Sequence, residues 1–176
     1  MHFVELLVLE KCFLCQNAIV LHGCFVEYKN EALVFTAPSW TGKSTQGHLC
    51  EKYENAEIIN GDRCVLQCKE DKVYVSGLPF CGSSTINTNK RLPLRAIVVV
   101  KQSDRNFIEF LSDNEAVKKI VSESTINYWN PLFVDKSLSL IGEIVRKSDV
   151  WRLHCTISKE SVDVLKKEIT KSVEEK

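Results

Sequence analysis

Between residues 34 and 46 the chain reads VFTAPSWTGKSTQ, and residues 37–44, APSWTGKS, satisfy the phosphate-loop pattern GxxxxGK[ST] except at its first glycine. The β-rich run ALVFT precedes the loop and STQGHLC follows it with helical spacing. Backbone N–H groups and the positive end of the helix dipole would therefore converge on one point, which favours phosphate. Lys43 would reach the outer phosphates, the Ser44 hydroxyl would take a divalent cation, and Gly42 permits close backbone approach. Ser39, Trp40, Thr41 and Thr45 complete the cradle expected to hold a nucleotide. Trp40 stands where a glycine ordinarily relaxes the turn, so its indole must point outward. There it could stack on an adenine or a substrate or, the reading preferred here, simply cover the loop.

A second element follows 18 residues after Ser44, where Asp62 closes the apolar run in IINGDRC. A carboxylate at a strand end beside a phosphate loop can bind metal or accept the proton of an attacking hydroxyl. NGD alone would read as a turn. Next to the loop, the chemical role is the stronger reading.

Residues of both charges number 23, so no overall field draws the chain onto nucleic acid or an anionic membrane, and any anion site must be local. The length, residues 1–176, suits a single nucleotide-binding domain. FVELLVL, residues 3–9, is short and carries Glu5, so it reads as neither signal peptide nor membrane span, and the expected compartment is the cytoplasm. The eight cysteines then read as reduced thiols. Cys12 and Cys15 have zinc-knuckle spacing, and Cys64 with Cys68 would complete four ligands. Apolar surroundings favour ordinary core filling.

The elements that must position these groups can be sketched from periodicity. Residues 3–16 suit an amphipathic helix. AIVLHGCFVEYKNEALVFTA gives three short β-rich runs, with YKNE as a turn, leading into the loop. STQGHLCEKYE reads as a helix, EIINGD as a strand end, and CVLQCKEDKVYVSG as a hairpin turning at KEDK. RAIVVVKQ and FIEFLSD read as strands, NEAVKKIVSEST and DKSLSLIGEIVRK as helices, VWRLHCTI as a late strand, and SKESVDVLKKEI as a final helix. The sum is a mixed α/β fold with considerable antiparallel content.

LHGCFVEYKNEALVFTAPSWTGKST followed by NGDR resembles the catalytic domain of HPr kinase/phosphorylase and its small relatives, in the phosphoenolpyruvate carboxykinase-like group of P-loop enzymes. The specific motifs lie in residues 22–63, with weaker likeness through SGLPFCGSSTINTNKRLPLRAIVVVKQ and VWRLHCTISKESVDVLKKEI. The resemblance implies that Lys43 contacts phosphates, that Ser44 and Asp62 handle magnesium, and that Asp62 also acts as the base. It implies that His22 lies near the transferred phosphate, where a plain strand histidine is the equal alternative. It also implies that homo-oligomers could form.

Two features depart from the family. Arg63 replaces the second aspartate of the family's Asp-Asp pair, and GLPFCGSS lies where a metal-binding glutamate signature is expected. Gly82, Ser83 and Ser84 could line a substrate or phosphate site there, or form a hairpin turn. Lys90 and Arg91 could neutralise charge on the transferred group, although adjacent basic residues are more often solvated. His48 and His154 have no motif around them and receive no role.

These features point to an ATP- and Mg2+-dependent kinase that phosphorylates a hydroxyl, either a serine of a peptide or a small metabolite. A nucleotide-binding regulatory module with little catalysis is the alternative. A nucleoside monophosphate kinase is disfavoured, because strands around His22 and Phe25 precede the loop.

Overall fold

The computed structural model describes residues 9–79, 82 and 85–174. Chain order runs α1 (Leu9–Cys15), β1 (Ala18–Tyr28), β2 (Glu31–Thr36), α2 (Lys43–Glu54), β3 (Glu57–Asn60), β4 (Arg63–Lys69) and β5 (Lys72–Gly77). It continues through β6 (Arg91–Gln102), β7 (Phe107–Phe110), α3 (Asp113–Glu123), α4 (Pro131–Arg146), β8 (Asp149–Cys155) and α5 (Lys159–Glu174). The fold is mixed α/β with a mostly antiparallel sheet. Among the described residues, only β2 with β6 and β6 with β8 run parallel.

Period-two alternation fills two cores, one on each face of the central strands. Phe25, Val34, Ile97 and Val99 point into a core closed by Ile120 of α3 and by Leu140, Ile141 and Ile144 of α4. Their sequence neighbours Cys24, Val26, Leu33, Phe35, Val98 and Val100 enter the opposite core with Cys50 of α2 and with Val162, Leu165 and Ile169 of α5. Burial on both faces explains why VVV in β6 and LVF in β2 read as continuous apolar runs.

Two expectations are corrected. Of the three β-rich runs before the loop, the first two fuse into the single 11-residue β1. That length is used by three strands, because β4 pairs with residues 18–22 while β2 pairs with residues 23–28 and β3 with residues 25–27. The core strand starts at Arg91 rather than Arg95, since RLP pairs with β5 before Leu94 and AIVV pair with β2. NGD reverses nothing: β3 and β4 run antiparallel along the same edge of β1, Phe25 opposite Asn60 and His22 opposite Arg63, with Gly61 and Asp62 as a bend between them. The expected helix over residues 3–16 is seen as α1, its first part lying outside the described residues.

Cys64 and Cys68 are buried in β4, whereas Cys12 and Cys15 are exposed on α1. Burial pushes the Cys24 and Cys50 thiols up to about 12 and Cys68 to about 11, as expected for packing groups. Among the described residues, no three or more His, Cys, Asp or Glu side chains group as a metal site. No described helix is long and apolar enough to cross a membrane.

The bend at Asp62 is held from behind. Thr88 donates its N–H to the Ile59 carbonyl at 2.8 Å, and Gly77 donates to the Lys90 carbonyl at 3.0 Å. A Cβ on Gly77 would lie 2.2 Å from the Thr88 carbonyl oxygen, which is backbone and cannot swing aside. Gly77→Ala should therefore lower stability by about 1–3 kcal/mol, as overpacking does. The urea midpoint measures it, and an unchanged midpoint would mean that the 88–90 segment yields freely.

Candidate phosphate-binding site

The loop lies at a three-way junction. β2 ends at Thr36, opposite Gly23 of β1 on one side and Val99 of β6 on the other. The Thr36 hydroxyl donates to the His22 carbonyl at 2.8 Å, fastening the loop's root to β1. Beyond Thr36 the chain leaves the sheet, and the edge of β1 that it vacates is taken up by the end of α3. Leu21 bridges Ser124, and Thr125 donates to the Val20 carbonyl at 2.9 Å. This exchange of neighbours brings Glu123 to His22 across 101 residues of sequence.

Gly42 caps α2 with φ 107°, a left-handed conformation that glycine alone adopts without strain. The cap makes no side-chain hydrogen bond, and the first recorded backbone bond of the helix runs from the Gln46 N–H to the Gly42 carbonyl. The N–H groups of Lys43, Ser44 and Thr45 thus belong to the open first turn, where the dipole favours an anion. By contrast, the start of α4 is closed by the Asn130 side chain.

A cleft of about 370 Å³ opens above this helix end, lined by His22, Ser39, Trp40, Gly42, Lys43, Ser44, Thr45, Gly61 and Asp62. Thr41 does not line it. Thr41 instead lines a neighbouring crevice of about 310 Å³ between the loop, the ends of β6 and β8, and α3.

Lys43 is buried, with 7 % of its surface exposed. Its Nζ donates to the carbonyls of Ala37 at 2.8 Å and Pro38 at 3.2 Å, closing the loop upon itself. Burial holds its pKa below the ordinary lysine value, while Glu123 and then Asp62 oppose that shift through their negative charge. Ser44 Oγ donates to the Gly61 carbonyl at 3.1 Å, tying the first helical turn to the residue before Asp62.

Asp62 is placed by Asn60, whose fully buried side chain accepts from the N–H groups of Asp62 and Arg63 at 3.0 and 3.1 Å and donates to the Leu78 carbonyl. Asp62 Oδ1 faces His22 Nε2 at 3.7 Å, and Asp62 Oδ2 accepts from Arg63 Nε at 3.3 Å. The other ring nitrogen, Nδ1, lies 3.2 Å from Glu123 Oε2. His22 therefore stands between two carboxylates. Gly82 presses on the third side: a Cβ there would sit 2.8 Å from the Asp62 carboxyl carbon. Ser83 and Ser84 lie outside the described residues.

The remaining candidates resolve individually. Lys90 pairs with Glu27 and Glu57, and Arg91 lies over the Tyr74 ring, so both are engaged elsewhere. His48 pairs with Glu51, and His154 stacks on Phe107. Trp40 does not cover the loop. It is 98 % exposed, with φ 67° in the left-handed region, which costs a non-glycine residue roughly 1–2 kcal/mol. Sequence reasoning missed Glu123 and Asn60. Glu123 sits in an ordinary helical pattern with no local mark, whereas Asn60 was visible as the first residue of NGD.

No family model and no curated protein match the chain. Among solved structures, the Hpr(Ser) kinase/phosphatase from Coxiella burnetii aligns with 87 % of this chain and 97 % of its own, at 9 % identity and a TM-score of 0.48.

The electrostatics of Lys43 give a direct test. Glu123 is the larger of the two acidic influences, so Glu123→Gln should lower the lysine pKa further, and by more than Asp62→Asn does. Carbon-13 NMR titration of the Lys43 side chain reads the order. Identical titration in all three proteins would mean that neither carboxylate is felt.

Proposed function

We propose that the chain binds a nucleoside triphosphate, ATP, and transfers its terminal phosphoryl group to a hydroxyl acceptor, a serine of a peptide or a small metabolite. One observation carries this reading: the open first turn of α2 and the buried Lys43 ammonium share a cleft with Asp62 and His22. A local cluster of this kind suits an anion in a chain with no net charge. Phosphoryl transfer asks chiefly for positioning and charge neutralisation.

Under this reading, entering phosphate oxygens replace the Ala37 and Pro38 carbonyls as acceptors for Lys43. The N–H groups of residues 43–45 hold the remaining oxygens. The acceptor oxygen forms a bond to the terminal phosphorus as the bond to the bridging oxygen breaks, and the hydroxyl proton passes to Asp62. Glu123 fixes the His22 ring from behind, so that Nε2 faces the Asp62 carboxylate. The donor chemistry suits magnesium, since the Ser44 hydroxyl and the Asp62 carboxylate are hard oxygens and this ion keeps few protein ligands beside substrate phosphates. Magnesium bound there would neutralise charge on the phosphates.

A second reading, a nucleotide-binding module without appreciable turnover, has one observation in its favour: Arg63 occupies Asp62 Oδ2, partly neutralising the proposed base.

ADP release from ATP and magnesium, across serine peptides and small hydroxy compounds, separates the two. Lys43→Ala should abolish nucleotide binding. Asp62→Asn should retain binding within about threefold and slow transfer by about 10²–10⁴, the usual worth of a general base. Undiminished turnover in Asp62→Asn would remove the base from the mechanism, and tight binding with no turnover in the unaltered protein would favour the module.

A further inference from the structure

Trp40 bears two costs that folding does not recover. Its backbone is held in a conformation unfavourable for a bulky side chain, and its whole ring is left in water. A residue held against both tendencies at the rim of a binding cleft points to a role in binding. Trp40 lines the same cleft as Lys43 and Ser44.

Topology determines which part of a ligand the ring meets. His22 belongs to β1, and Asp62 belongs to the bend that runs along β1, on one side of β2. The Trp40 carbonyl accepts from Gln102 Nε2 at 3.4 Å, and Gln102 is the last residue of β6, on the other side of β2. The cleft thus has an acid-and-imidazole flank and an aromatic flank, with the phosphate cradle between them. In phosphoryl transfer the attacking and leaving oxygens lie on opposite sides of the transferred phosphorus. With the acceptor on the Asp62 flank, the departing nucleoside diphosphate extends toward Trp40.

Resting on the nucleotide-binding reading above, we infer that Trp40 is the stacking platform for the nucleobase, so that affinity for the base comes from the phosphate loop itself. An exposed indole suits any base, since every base presents a π-face. The β6 tether fixes the loop carbonyl and leaves the ring free to turn onto its ligand.

The test compares ATP with inorganic tripolyphosphate, each with magnesium, by calorimetric titration of the unaltered protein, Trp40→Phe and Trp40→Gly. Trp40→Gly should bind ATP about tenfold more weakly and tripolyphosphate within twofold of the unaltered protein. Trp40→Phe should keep most of the ATP affinity. Because glycine relieves the left-handed strain, Trp40→Gly should also melt no lower than the unaltered protein. Unchanged ATP affinity in Trp40→Gly, or equal weakening of both ligands, would overturn the platform while leaving the phosphate cradle standing. Failure of the unaltered protein to bind either ligand would instead defeat the nucleotide reading and the platform with it.

Discussion

A buried ammonium must find compensation, and the architecture around residue 43 is arranged by that requirement. Removing a lysine from water is costly unless its donors are taken up and opposite charge lies close by. Two loop carbonyls take up the donors of Lys43, and Glu123 and Asp62 supply the charge. The carbonyls belong to the residues that leave β2, so satisfying the lysine also shapes the loop. The carboxylates come from a helix end and a strand bend, so neutralising it draws α3 and the β3–β4 bend around a single point.

That convergence depends on how β1 is shared. A strand whose partner leaves halfway exposes unpaired N–H and C=O groups, which are costly to bury. When β2 turns away at Thr36, the residues after α3 take over, with Thr125 donating to the Val20 carbonyl. The edge of β1 is thereby partnered at Val20 and Leu21, and Glu123 arrives beside His22 as a by-product of that pairing. On the opposite edge, β3 and β4 nearly form one continuous partner. The bend at Gly61 and Asp62 lets one residue turn its carboxylate toward the cleft while its carbonyl still accepts from the Gly23 N–H at 2.9 Å.

Much of this was legible in the sequence, for identifiable reasons. GKS after ALVFT marks the open helix end because only a few residue types satisfy that geometry. The runs in β2 and β6 declare strands buried on both faces. Asp62 was visible through its distance from Ser44. Glu123 was not, because its role comes from a long-range replacement of one strand by a helix end, and the VSES of α3 looks the same whether or not β1 needs a partner. NGD shares turn chemistry with an ordinary reversal, since Asn60 organises local N–H groups, but pairing with β1 keeps the chain running straight on. Trp40 misled through composition. An indole ordinarily covers something, and nothing in the sequence shows that the loop turns it entirely into solvent.

Arg63 is the substitution that most alters the resembled pattern, and its position decides what it can do. It is the first residue of β4, paired opposite His22, with a side chain about one-third exposed and its Nε on Asp62 Oδ2. A second carboxylate at this position would add repulsion to a site that already holds Asp62 and Glu123 around one imidazole. A guanidinium relieves that repulsion and, with Gly82 closing in and Asn60 fixing the backbone, confines the Asp62 carboxyl group. Under the proposed reading, the exchange trades a metal oxygen for a fixed orientation. The Oδ1 atom is left turned toward His22, while Oδ2 is held by the guanidinium. Were the proposed reading to hold, such an arrangement would place more of the charge neutralisation on protein groups and less on the metal, as suits arginine's planar, permanently charged fork.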